Sequence, residues 1–98
     1  MPAYLIAQLT INDPSYMKEY RDGVVPLIDK HGGRQLVGGK PAEKLEGDDW
    51  DLPDRAIVVE FPTMEAARAW YYDPDYEPLI KLRQSGAIGK LMLVDGMG

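Results

Sequence analysis

The segment AYLIAQLTI, residues Ala3–Ile11, alternates without a break. Ala3, Leu5, Ala7, Leu9 and Ile11 fall on one side of an extended chain, and Tyr4, Ile6, Gln8 and Thr10 on the other, because successive strand side chains point to opposite faces. One face is wholly apolar and the other half apolar. The segment therefore predicts a strand with one buried side and a second side that also seeks cover. Asn12-Asp13-Pro14 stops it. Asp13 suits a helix N-cap, and Pro14 suits the first helical position, where its missing N–H leaves no bond unmade.

Beyond that stop, Tyr16, Tyr20, Val24, Leu27 and Ile28 recur at helical spacing, the inward stripe of an amphipathic helix. Pro26 predicts a kink or a restart within it. Gly32-Gly33 ends the helix, one glycine taking the left-handed position after the cap. Arg34–Val37 reads as a second, short strand broken by Gly38-Gly39, with Ala42–Glu46 continuing it at the sheet edge. Arg55–Phe61 is the strongest strand, its Ile57, Val59 and Phe61 alternating with Ala56, Val58 and Glu60. Pro62 closes it and Thr63 caps the next helix, whose buried side is Ala66, Ala67, Trp70 and Tyr71. Asp73-Pro74 repeats the capping chemistry and opens a second helical piece through Leu79, Leu82 and Arg83, with a bend or tight first turn at Pro78. Gly86–Gly89 closes that piece, and Lys90–Val94 forms the last strand.

The order is β-α-β-β-α-β. Two crossover connections on a four-stranded antiparallel sheet give a ferredoxin-like α+β sandwich, a single domain over residues 1–98. Right-handed crossovers put the helices on one face, over Leu5, Leu9, Ile11, Ile57, Val59 and Phe61. The opposite face carries Tyr4, Ile6, Ala56 and Val58, with alternate residues of Leu91–Val94. It is too apolar for free exposure, so a homodimer closing sheet on sheet is expected.

Composition bounds the chemistry. The 98 residues include no cysteine and one histidine, which excludes disulfides, thiolate nucleophiles and multi-histidine metal centres within one chain. The formal charge of −5 argues against a nucleic-acid or anionic-membrane surface. That charge is local: Glu43 to Asp54 holds six acids and one lysine, which equals the net balance of the whole chain. Asp48, Asp49 and Asp51 lack calcium-loop spacing, so a solvated charge run is the simpler reading. No metal site and no cofactor are expected. Met1–Ile11 lacks the basic start and long apolar core of a signal peptide, and a cytoplasmic location is the simplest expectation.

Glu60 shares its face with apolar Val58 and Ala56, an environment that disfavours a carboxylate's charged form and suits proton transfer. The plainer reading is an ion pair with Arg34 or Arg83. His31, at a helix end, is a second acid/base candidate or simply a partner of the helix dipole. Arg34 and Arg83 could each hold a carboxylate through the guanidinium fork. Tyr4, Tyr71 and Tyr76 are candidate pocket aromatics. Trp70 fits the core stripe, and Trp50 lies inside the acidic loop as a lid or a partner contact.

Several of these residues also carry a resemblance. Asp13-Pro14, Tyr16, Tyr20, His31-Gly32-Gly33-Arg34 and Val37-Gly38-Gly39 resemble the first half of the family named domain of unknown function 1330. Leu45-Glu46-Gly47, Val58–Pro62, Ala66-Ala67, Trp70-Tyr71, Asp73–Tyr76, Leu82-Arg83 and Val94-Asp95-Gly96 continue it. That family is similar to the dimeric α+β barrels, which the resemblance implies for this chain. Members of that superfamily include cofactor-free monooxygenases, isomerases and haem enzymes with a cleft between sheet and helices. The resemblance therefore implies a small-molecule site with Glu60, His31, Arg34, Arg83 and Tyr71 around it, performing proton transfer on a small organic acid without cofactor or metal. The alternative is a non-catalytic binding or structural dimer in which the same residues tie strands to helices.

Overall fold

The computed structural model describes residues 1–97. Strand β1 (Ala3–Ile11) leads through one 3-10 turn, Pro14–Tyr16, into α1 (Met17–Lys30). Then follow β2 (Arg34–Val37), β3 (Arg55–Phe61), α2 (Met64–Tyr71), α3 (Glu77–Gln84) and β4 (Ala87–Asp95). The sheet order is β2-β3-β1-β4, every neighbouring pair antiparallel. This is the ferredoxin-like α+β arrangement.

The starts and stops are made by the residues whose chemistry demands them. Asp13 Oδ1 accepts from Ser15 N at 3.0 Å, and Thr63 Oγ1 from Ala66 N at 3.0 Å. Gly32 takes φ 78° just after α1, a conformation only glycine adopts without strain. Pro78 sits in the first turn of α3, where it displaces no helical bond.

Three local expectations are corrected. α1 does not restart at Pro26, because Pro26 and Asp22 are both exposed and water can take the carbonyl that the proline leaves free. Ala42–Glu46 does not extend β2: the chain leaves the sheet at Gly38-Gly39, with Gly39 at φ 81°, and stays irregular up to Arg55. β4 starts at Ala87 rather than Lys90. Gly89 is thus a strand residue, and a Cβ there would lie 2.5 Å from Arg83 Nη1. The missing side chain makes room for the guanidinium.

The core lies between the sheet and the helices. Leu5, Val59 and Phe61 meet Val24, Leu27 and Ile28 of α1, Ala67 and Trp70 of α2, and Tyr76 just before α3. Trp70 packs between Phe61 and Tyr76, with ring centroids 5.5 and 4.4 Å away. On the other face Ile6 stands opposite Val58 and Met92, and Tyr4 opposite Glu60 and Val94. Ile88, Met92 and Val94 are exposed there. No helix among the described residues is long and apolar enough to cross a membrane.

Candidate functional site

A cavity of about 100 Å³ opens between the inner sheet face and the helices. Leu5, Leu9, Ile57 and Val59 supply its strand side, and Tyr16, Tyr20, Trp70 and Tyr76 its aromatic side. Arg21, Arg55 and Arg83 complete the walls, and none of the lining residues is an aspartate or glutamate. The helical period explains how these side chains converge. Tyr16, at the end of the 3-10 turn, stands one turn before Tyr20 of α1. Tyr76, just before α3, and Arg83 within it are seven residues apart, two turns along one side.

Arg83 decides the character of the site. It is 4% exposed, and no described residue forms an ion pair with it. Its Nε has no hydrogen-bond partner in the protein, and neither has the buried Trp70 Nε1. Both orphans are donors, both belong to walls of the same cavity, and both lack an acceptor. A buried charge without a partner costs several kcal/mol in general. The Tyr20 and Tyr76 hydroxyls bond to each other at 2.7 Å. Burial, with the neighbouring Tyr20, pushes the Tyr76 phenol up against the opposing pull of Arg83, so Tyr76 remains a neutral donor. Burial likewise pushes Tyr16 up, and Arg83, Arg55 and Arg21 all oppose it.

The residues expected around one cleft divide among several places. Arg83 and Tyr76 lie on the cavity. Glu60, Arg34 and Tyr4 lie on the opposite, open face of the sheet, where Arg34 Nε donates to Glu60 Oε1 at 3.1 Å and Tyr4 stands across from Glu60 in register. The structural reading of Glu60 is thus the one observed. Because Arg34 is largely exposed in this pair in the single chain, Glu60→Gln is expected to cost at most about 1 kcal/mol in urea unfolding at concentrations that keep the chains apart. A larger loss would give the pair a role that its exposure does not.

His31 closes a different contact. Its Nε2 lies 2.8 Å from Asp73 Oδ2, which also accepts from Lys30 Nζ at 3.0 Å, while Asp75 N donates to Asp73 Oδ1 at 2.9 Å. This ties the end of α1 to the turn between α2 and α3. The His31 bond first, then the Asp75 N–H and Lys30, hold the Asp73 carboxyl well below its ordinary 3.8. The folded state therefore binds that proton later than the unfolded chain. Its stabilisation is complete above about pH 4 and is lost as the pH falls further. The melting-temperature gap between wild type and Asp73→Asn should be widest near neutrality and close towards pH 2.

Tyr71 packs against Trp70 and Tyr76 at 6.1 and 5.9 Å and is not a cavity wall. Trp50 is part-exposed in the acidic loop. Nothing local in the sequence marks Tyr16, Tyr20, Arg21 or Arg55 as cavity residues. The nearest signal is two phenols within an inward helical stripe, since buried tyrosine hydroxyls need partners.

The family model described as a domain of unknown function (DUF1330) matches residues 2–97. The chain belongs to this family. No curated protein matches the sequence. Among solved structures, this DUF1330 chain is similar to the RPA0582 protein of unknown function from Rhodopseudomonas palustris. The two are 18% identical with a TM-score of 0.80, over 99% of this chain and 83% of that one. It is also similar to SnoaB, a cofactor-independent oxygenase from Streptomyces nogalater, at 12% identity and TM-score 0.61, over 99% and 94% of the two chains. A dimeric ferredoxin-like protein of unknown function from Bacteroides fragilis aligns at 13% identity and TM-score 0.62, over 97% and 96%. Likeness at these identities shows the shared fold.

Proposed function

We propose that this DUF1330 protein binds a small organic acid in the cavity between sheet and helices, with Arg83 receiving the carboxylate. The observation that carries the reading is the pair of buried donors without acceptors, Arg83 Nε and Trp70 Nε1, on the walls of one apolar cavity. An anionic ligand on the Arg83 guanidinium would compensate its charge. Arg83 can present a planar fork to a carboxylate, and the apolar strand side would take the body of the acid. In the Tyr20–Tyr76 hydroxyl pair either oxygen can be the donor, which leaves one O–H of the pair for an oxyanion on the ligand. Cofactor-free chemistry within this fold has a parallel in the SnoaB oxygenase. Glu60 and His31 stand outside the cavity, held by Arg34 and Asp73.

We also propose that two copies pair through their open sheet faces. Exposed Ile88, Met92 and Val94 beside Tyr4, Ile6 and Val58 make an apolar surface of the kind that marks an interface, and the Bacteroides fragilis relative is dimeric. Sedimentation at micromolar concentration should give a dimer; a clean monomer would overturn this part. A thermal-shift screen of small carboxylic acids tests the site. Stabilisation should persist in Glu60→Gln and vanish in Arg83→Gln. Equal stabilisation of wild type and Arg83→Gln would remove Arg83 from the site.

A further inference from the structure

The cavity holds more positive charge than one carboxylate answers. Arg83 is buried, Arg55 half-buried and Arg21 exposed, yet all three line the same small space. No described carboxylate pairs with any of them: the ion pairs among the described residues are made by Lys18, Lys30, His31, Arg34 and Lys81. Tyr16 is a wall of the same cavity, and all three arginines oppose the upward push that burial gives its phenol. A monoacid seated on Arg83 would leave the half-buried Arg55 without an anionic partner beside a largely apolar space, where an unpaired charge is screened less than in water.

We infer that the ligand is a short dicarboxylate, one head on the buried Arg83 and the second between Arg55 and Arg21 towards solvent. This rests on the reading that the cavity takes an acid at all. The gradation in burial favours two separated heads over one compact dianion such as phosphate, because the positive groups extend from a sealed end to a wet one. Size limits the spacer. A cavity of about 100 Å³ is smaller than the roughly 150 Å³ that admits benzene, so it takes one head and part of a short spacer, and the second head lies outside it towards solvent. Apolar Leu9 and Ile57 flank that spacer.

Calorimetric titration at low salt, with succinate, glutarate, butyrate and inorganic phosphate as probes, tests the inference. The proteins are wild type, Arg83→Gln and the double variant Arg21→Gln/Arg55→Gln, each checked for native circular dichroism. Succinate or glutarate should bind wild type at least about tenfold more tightly than butyrate, the factor one additional charge-assisted contact supplies. The double variant should lose that preference and keep its butyrate affinity, and Arg83→Gln should weaken every acid. Equal affinity for butyrate and the diacids, or a preference that survives the double substitution, would overturn the second head and leave the acid site standing. Phosphate binding more tightly than either diacid would overturn it in favour of a compact dianion. Failure of every carboxylate, butyrate included, would overturn the underlying acid site and this inference with it.

Discussion

Arg83→Met is expected to raise the melting temperature of the ligand-free protein by at least about 4 °C while abolishing its response to small acids. The two effects share one cause. Arg83 is 4% exposed and its Nε lacks a partner, so the fold carries an uncompensated charge whose removal is worth roughly 1–3 kcal/mol by analogy with buried ion groups replaced by apolar side chains. In a domain of this size about 1 kcal/mol moves the midpoint by about 4–8 °C. Methionine is unbranched and adaptable, and can follow the path of the arginine stem beside Gly89. Loss of binding without gain of stability would show that the contact between Arg83 and the Tyr76 hydroxyl offsets the burial of the charge. Gain of stability with unaltered acid binding would move the site elsewhere. The protein concentration must be held fixed, since association also raises apparent stability.

The second large effect belongs to Trp70. Its side chain is 2% exposed and touches Phe61, Tyr71 and Tyr76. Trp70→Ala removes the centre of that cluster and is expected to cost about 3–5 kcal/mol, transfer and cavity terms together. Against a typical total of about 5–15 kcal/mol, many molecules would be unfolded at moderate temperature. Trp70→Phe retains most of the packing and discards the unpartnered indole N–H, so it should cost no more than about 1.5 kcal/mol. Urea midpoints for the two variants measure the difference. Similar losses for both would mean that the N–H, rather than the ring, supports the fold through an acceptor.

Much of the architecture is written locally. Alternation in Ala3–Ile11 and Arg55–Phe61 marks both central strands at the bounds they adopt. Asp13, Thr63 and Gly32 mark three helix ends, because capping depends on side chains within three residues. Pro26 misled for a reason that is not local: whether a proline breaks a helix depends on which face meets solvent. The start of β4 was hidden likewise, since Gly89 reads as a breaker until Arg83 is seen crossing it.

The site was legible in part. Parity alone sets Glu60 beside Val58 on the open face, so a cleft joining Glu60 to Arg83 conflicts with the same alternation that defines the strand. Arg83 and Tyr76 were identifiable as residues of interest. Their convergence with Tyr16, Tyr20, Arg21 and Arg55 was not, because these come from separated segments that meet only when α1 and α3 pack on the sheet. Charge balance in the sequence also misdirects: the acids cluster in the Glu43–Asp54 loop and leave the cavity with arginines and no carboxylate.

The most direct measurement follows the Arg83 Nε–Hε resonance in a nitrogen–proton correlation spectrum, assigned by its absence in Arg83→Lys, during titration with succinate. The acid-site account predicts a saturable shift of that resonance, together with the indole N–H of Trp70. An Arg83 signal that stays in place at millimolar acid, while those of exposed arginines move, would contradict it.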